Sequence, residues 1–402
     1  MSNKIFYGWW IVFACFLIAC YVGSVVFFSL TAFIEPIREE FGWSYAQISF
    51  AASLRGLEMG LFAPLIGFLV DRFGSRKLIF YGVIAVGLGL MLLSRTQSLA
   101  MFYGSFILIG FGAGGCTSVV TMTVVANWFH RKVGIALGVM SSGLGASGLL
   151  VPLIARMIDV SGWRTTLIIL GLGMWAIGVP LTFVIREKPE QYGYHPDGEP
   201  LKMSVPTLEF QAKTVEMDFK RALKTRVFLY LSLAETVRMM TVAAVVVHIM
   251  PYLKSLGMPR SAAALVAGAI PIFSIMGRFG FGWLGDIFDK RYVTAVVYIF
   301  MALGMLTFCY GQVKWIIYLF VLLFPPGFGG SMVLRGAILR EYFGRNSFGK
   351  ILGIVMGIVS IGGIIGPTLA GWVFDSLGEY HLIWLVFCGL LSLAVGLILR
   401  IR

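Results

Sequence analysis

Seven ionisable side chains interrupt stretches that are otherwise too apolar to hold a charge: Arg55, Glu58, Glu235, Arg238, His248, Arg278 and Arg335. An ionised group at the centre of a bilayer costs about 2.5 to 3.5 kcal/mol on insertion scales, so each needs a partner, a wet cavity, or both. No nucleophile with an adjacent base, metal-ligand cluster or phosphate-cradling loop accompanies them. The chemistry they suit is reversible capture of an anion or a proton, not bond making.

Arg55 and Glu58 are three residues apart, as are Glu235 and Arg238, which puts opposite charges side by side on a helix. Mutual neutralisation is one reading. The other is that Glu58 or Glu235 takes a coupling proton, because an acid in an apolar wall is easier to protonate. Arg278 differs: no acid lies three or four residues before it or three after, and Asp286 is eight further on, about 12 Å along a helix. Helical side chains tilt toward their own N-terminus, so the Arg278 guanidinium reaches toward Ser274, one turn earlier. His248, on the preceding helix of opposite direction, tilts to the same level. The three converge on one cavity, where a planar, permanently charged fork matches a carboxylate. The alternatives are an Arg278 paired with an acid on another helix or snorkelling to the surface, and a His248 that is a hydrogen-bonding wall residue instead of a proton carrier. Arg335 reads as a gate or a contact between halves, with substrate binding the alternative. Leu30, Thr121 and Leu144 are candidates for the apolar part of the pocket, and Gly143, Gly145, Ala146 and Gly148 for packing surface.

The elements that carry these groups follow from composition. Of 402 residues, 58% are hydrophobic and 13% charged, against about 45 to 50% and about 25% in soluble domains. A water-soluble domain is excluded. At about 20 residues per span, helix-length apolar segments fall at 8–34, 45–70, 78–93, 99–126, 134–158 and 165–185, then at 227–253, 261–285, 292–310, 315–339, 352–374 and 382–399. The expectation is an all-α membrane protein of twelve transmembrane helices in two six-helix bundles, residues 1–186 and 226–402. Between them, residues 187–225 read as a solvated cytoplasmic linker with a short amphipathic helix around Val215, Phe219, Ala222 and Leu223. The first run, without a small-residue cleavage site, reads as a retained helix. Cys15, Cys20, Cys116, Cys309 and Cys388 lie in apolar runs and read as buried free thiols.

The formal net charge of +13 finds its explanation in the loops and not in nucleic acid, since no soluble basic domain exists. With the N-terminus inside, twenty-one Lys and Arg fall on the cytoplasmic side and at most seven outside, so both termini are expected in the cytoplasm. The halves also repeat each other. Gly67 and Asp71 match Gly282 and Asp286 at an offset of 215, as Gly138, Gly148 and Pro152 match Gly353, Gly363 and Pro367. Duplication of a six-helix unit keeps both copies in one orientation, with binding expected near the midplane.

The run Gly67-Phe68-Leu69-Val70-Asp71-Arg72-Phe73-Gly74-Ser75-Arg76-Lys77 resembles the Gly-x-x-x-Asp-Arg-x-Gly-x-basic-basic signature of the major facilitator superfamily. The resemblance implies a cytoplasmic latch made by Gly67, Asp71, Arg72, Gly74 and Arg76. The second copy keeps Gly282 and Asp286 but has Ile287 and Asp289 where Arg and Gly would stand, so its latch is expected to be weaker. Tyr7-Gly8-Trp9-Trp10, Trp128-Phe129-His130-Arg131-Lys132, Gly162-Trp163-Arg164 and Pro189-Glu190-Gln191-Tyr192-Gly193 resemble the oxalate/formate antiporter and monocarboxylate transporter branch. That branch carries a substrate-binding Arg on helix 8, here Arg278. Oxalate exchangers add a Lys within helix 11; here the region has only Lys350, at the helix's cytoplasmic end. Animal monocarboxylate carriers have a Lys on helix 1 and an Asp four residues before the Arg, places held here by about Phe28 and by Ser274. One cation suits a mono-anion better than a dicarboxylate.

The expected function is therefore secondary active transport of a small monocarboxylate of the lactate, pyruvate or acetate type by alternating access, with a proton or in exchange for another anion. An oxalate/formate-type exchanger, a multidrug exporter and a non-transporting anion sensor are the alternatives. The partners expected are the anion, protons and the lipid bilayer, without nucleic acid, metal or cofactor. A monomer in a bacterial inner membrane is expected, and no enzymatic activity.

Overall fold

A computed structural model describes residues 6–43, 47–48, 62–198 and 219–401. Every regular element among them is helical, as it must be where no water is present to satisfy backbone groups. The first span is α1 (Tyr7–Val22), a π-helical turn over Gly23–Phe28, and α2 (Leu30–Phe41), which ends at Gly42 in the left-handed region at φ 67°. There follow α3 (Ala63–Phe73), α4 (Ser75–Ser94), α5 (Leu99–Cys116), α6 (Ser118–Trp128), α7 (Val133–Ala146) and α8 (Val151–Val184). After the linker come α9 (Phe219–Ala222), α10 (Arg226–Ser255), α11 (Arg260–Ile287), α12 (Lys290–Cys309), α13 (Lys314–Phe343), α14 (Phe348–Leu377) and α15 (His381–Leu399).

Ten helical stretches among the described residues are long and apolar enough to cross a membrane. One of them, 133–184, holds two spans, because Gly162 breaks it at φ 77° and ψ 158°. Only glycine adopts that backbone without strain. With α3 as the described end of a further span, the twelve-helix, all-α membrane fold follows. All five cysteines are free; Cys15, Cys116 and Cys309 are buried, while Cys20 and Cys388 are only half-buried.

Two compact units divide the chain. One comprises residues 1–131, 139–216 and 344–354; the other 132–138, 217–343 and 355–402. Each unit thus takes a helix start from the opposite half of the sequence, which the halves read from sequence do not show. In the first unit, α4 and α5 approach backbone to backbone: a Cβ on Gly82 would lie 2.7 Å from the Gly112 carbonyl oxygen. Such contacts between small residues hold helices together where lipid supplies no hydrophobic drive. In the second, a ring cluster of Tyr252, Phe308, Tyr380 and Trp384 joins α10, α12 and α15, and the Tyr252 hydroxyl donates to the Phe308 carbonyl at 2.5 Å.

The linker is largely exposed over its described residues 187–198. Its opening forms two short 3-10 turns, Pro189–Tyr192 and Pro196–Gly198, with Pro189 buried. The Arg186 guanidinium lies 4.1 Å from the Tyr7 ring centroid and 4.3 Å from that of Tyr192, and the Trp128 indole donates to the Arg186 carbonyl at 2.8 Å. Aromatic faces attract the cation. Of the amphipathic helix, α9 with buried Ala222 is the described part; Val215 lies outside the described residues.

Candidate functional site

Arg278 sits mid-helix on α11 with 4% of its surface exposed, and Ser274, one turn earlier, is fully buried. What positions them is the seam between α11 and α13. A Cβ on Gly277 would collide with the Pro326 carbonyl oxygen, and one on Gly329 with that of Ser274. Two glycines, one from each helix, let the backbones touch and so fix the depth of the guanidinium. Arg278 donates to the Met332 thioether of α13 at 3.7 Å, and the Ser274 hydroxyl donates to the Pro271 carbonyl of its own helix at 2.7 Å. Met332 has no ionisable group, so no sequence signal marked it.

His248, half-buried on α10, makes two hydrogen bonds elsewhere. Its Nδ1 is 3.1 Å from the Tyr380 hydroxyl and its Nε2 is 3.0 Å from the Pro367 carbonyl of α14. A carbonyl only accepts, so Nε2 donates to Pro367. In this arrangement the ring bridges α10 and α14.

Glu235, 1% exposed, is the acceptor of a buried cluster. Its Oε2 receives Arg238 Nε at 3.0 Å and Arg335 Nη1 at 3.1 Å, and its Oε1 receives the Tyr298 hydroxyl at 3.0 Å. The intrahelical pair with Arg238 is thus real, but Arg335 of α13 and Tyr298 of α12 complete it. Arg335 was expected as a gate or a contact between halves; it is an ion-pair partner inside one unit, 2% exposed. Neither the 100-residue separation of Arg335 from Glu235 nor the tyrosine left a local pattern to read.

In the other unit, Thr121 on α6 is fully buried and its hydroxyl donates to the Ser118 carbonyl at 3.3 Å. Leu144 on α7 lies against Gly23, its Cδ2 3.2 Å from where a Cβ there would stand. Phe28 and Leu30 fall in the π-helical turn and at the start of α2; their side chains, and the whole of Arg55 and Glu58, lie outside the described residues.

Around the predicted latch, Asp71 at the end of α3 accepts the Lys350 backbone N–H at 3.1 Å, in the first turn of α14. A Cβ on Gly67 would strike the Gly349 carbonyl, and Gly74 (φ 89°) leaves the space filled by the Glu187 carboxylate. Arg72 and Arg76 lean on the rings of Phe73 and Phe183, each at 5.4 Å. Asp286 repeats the device on α7, accepting from Gly134 N at 2.6 Å and Ile135 N at 2.8 Å. Both carboxylates cap helix starts, where backbone donors lack helical partners and the dipole favours negative charge. The Asp286 contact to Gly134 N, at 2.6 Å, is shorter than the Asp71 contact to Lys350 N, at 3.1 Å.

Comparison with known proteins adds to this geometry. The family model described as Major Facilitator Superfamily matches residues 12–334 and 231–402. The chain is 27% identical over 406 residues to monocarboxylate transporter 12 of Mus musculus, covering 95% of this chain and 82% of that one. It is 26% identical over 375 residues to the uncharacterized MFS-type transporter YcxA of Bacillus subtilis (strain 168), covering 90% and 88%. Among solved structures it resembles the proton:xylose symporter XylE, with a TM-score of 0.77 at 16% identity over 98% of this chain and 96% of that one. The human organic anion transporter MFSD10 gives 0.73 at 12% identity, over 97% and 99%. At such identities these structures establish the fold alone.

Proposed function

Because the chain belongs to the major facilitator superfamily and is a membrane transporter, not an enzyme, we propose that it carries small monocarboxylates of the lactate, pyruvate or acetate type by alternating access, coupled to a proton. The observation that carries this reading is a permanently charged Arg278 fixed at depth in α11, 4% exposed, beside Ser274. The names of relatives that match 95% of the chain, monocarboxylate transporter 12 among them, support it.

A carboxylate lying on the guanidinium fork neutralises it, which lowers the cost of enclosing that charge in a dehydrated site. Closure is favoured by loading. Of the three candidate proton carriers, Glu235 already accepts from three donors and both nitrogens of His248 are engaged. That favours Glu58. Met332 lends a polarisable, apolar wall suited to a short alkyl chain. The positive-inside bias supports both termini in the cytoplasm, a bacterial inner membrane is the location proposed, and twelve spans in one chain suit a functional monomer.

Radiolabelled lactate flux into proteoliposomes, with and without an imposed pH gradient and with internal oxalate or formate, tests the proposal. Gradient-driven accumulation is the expected result; oxalate- or formate-driven exchange without gradient dependence would replace the symport reading. Arg278→Lys keeps the charge and loses the fork, and uptake should fall about tenfold or more at normal expression. Wild-type uptake by that variant would refute the assignment. Glu58→Gln should lose gradient-driven accumulation while keeping lactate counterflow.

A further inference from the structure

The cluster around Glu235 holds more positive charge than negative. Two guanidiniums share a single carboxylate oxygen, Oε2, through contacts of 3.0 and 3.1 Å, and all three side chains are 98 to 99% buried. One unit of positive charge therefore stays enclosed among α10, α12 and α13. Burying a charge without a counter-charge costs several kcal/mol, so the arrangement is incomplete on the protein groups among the described residues.

The donors agree with the charge. Arg238 Nη1 and both Nε and Nη2 of Arg335 are buried and lack any hydrogen-bond partner among the described residues. Two buried hydroxyls share that condition: Ser232, three residues before Glu235 on α10, and Thr294, four residues before Tyr298 on α12. The Tyr298–Glu235 bond links the two helices, and each hydroxyl stands about one turn toward its own helix's N-terminus from a partner in that bond. Three guanidinium donors and two hydroxyls at the side of a net-positive cluster are what a small monovalent anion requires. Native proteins seldom leave buried donors unsatisfied, and three on the two guanidiniums that carry the surplus charge call for more than local misfit.

We propose that Arg238 and Arg335, with the hydroxyls of Ser232 and Thr294, form a second anion site, separate from Arg278, that holds one halide-sized or carboxylate anion as counter-charge to the cluster. Water alone would satisfy the donors but not the charge. The site stands or falls independently of lactate flux through Arg278, since a resident anion is needed for the integrity of α10, α12 and α13 whatever the protein carries.

Thermal unfolding of the full chain in nanodiscs, in sodium chloride against sodium gluconate at equal ionic strength, tests the proposal. Chloride should raise the midpoint saturably. Arg335→Gln makes the cluster neutral and should weaken the apparent chloride affinity about tenfold or more, whereas Glu235→Gln makes it doubly positive and should bring saturation at lower chloride. A mere salt bridge predicts that both substitutions destabilise equally in every salt. If Arg335→Gln fails to fold, Ser232→Ala with Thr294→Val keeps all three charges and should still weaken the chloride response. Sodium lactate applied to Arg278→Gln protein distinguishes the source: a stabilisation equal to that of chloride identifies a carboxylate as an occupant, and none restricts the site to inorganic anions. A midpoint indifferent to the anion, or a chloride response untouched by these variants, overturns the proposal.

Discussion

Asp286 holds the backbone N–H of Gly134 at 2.6 Å, across 152 residues of sequence, and takes that of Ile135 with its other oxygen at 2.8 Å. One carboxylate thereby satisfies two of the orphan donors that open α7. Gly134 permits the approach, because a Cβ there would collide with the Gly282 carbonyl and lie 2.7 Å from the Asp286 carboxylate itself.

Asp286→Asn keeps the shape but turns an amide N–H₂ toward one of these donors. Losing half the cap should cost about 0.5 to 2 kcal/mol. Asp71→Asn should cost less, since Asp71 holds Lys350 N at a longer 3.1 Å. Thermal midpoints of the two variants, measured side by side, check the order; a larger loss at Asp71 would show that the signature's arginines and not the cap geometry set the strength.

Gly277→Ala should displace Arg278 without touching it. The added methyl meets the Pro326 carbonyl, and backbone cannot yield as a flexible side chain can. Forced separation of α11 from α13 should cost about 1 to 3 kcal/mol and reduce lactate uptake. Gly280→Ala is the control on the same helix: nothing lies within 4 Å of a Cβ there, so uptake and stability should stay at wild-type levels. Equal effects from both substitutions would deny the seam its positioning role.

The elements were legible where the physics is local. Gly162 announces its turn because no other residue type sits easily at φ 77°, and the apolar runs announce helices because lipid leaves the backbone no alternative. The Glu235–Arg238 pair was legible because three residues on a helix is a contact distance. Arg335, Tyr298 and Met332 were not, for they come from other helices and depend on how those helices pack. The same holds for Pro367 and Tyr380, which claim His248. At the linker, Pro and Gly content suited an exposed segment, and its described residues are largely exposed; the contacts of Arg186 with Tyr7 and Tyr192 left no local pattern to read.

Acid pH should loosen the far end of the N-terminal unit through Glu40. Its carboxylate accepts from Arg164 at 2.6 Å and from the Trp163 indole at 2.8 Å, and the hydrogen bond from Arg164 chiefly holds its pKa below the ordinary 4.5. A lowered folded-state pKa means that the stabilisation is complete above that ordinary value and is lost as pH falls through the folded one. Glu40 is 42% exposed, so the effect is modest. Wild type should exceed Glu40→Gln in thermal midpoint at pH 7, and the gap should shrink as pH falls below the ordinary 4.5 and close once the folded carboxylate is protonated. A gap constant with pH would assign the difference to packing alone.

Arg186 ties the start of the linker to the first helix. Its guanidinium lies between the rings of Tyr7 and Tyr192, its carbonyl takes the Trp128 indole N–H, and the Tyr7 hydroxyl donates to the Val184 carbonyl at 2.9 Å. Arg186→Ala removes the cation from both faces, a loss of about 0.5 to 2 kcal/mol depending on how dry the stack is, and leaves two rings with nothing between them. The segment 187–198 should then open more often and become a substrate for proteases that need extended backbone. Limited digestion with an endoprotease specific for glutamate, cutting at Glu187 or Glu190, reads this directly. Cleavage should quicken several-fold over wild type, while Arg186→Lys, which keeps a cation for the rings, should fall between the two. Cleavage at the wild-type rate in Arg186→Ala would mean that the Glu190–Arg345 ion pair and the indole bond hold the segment without the arginine.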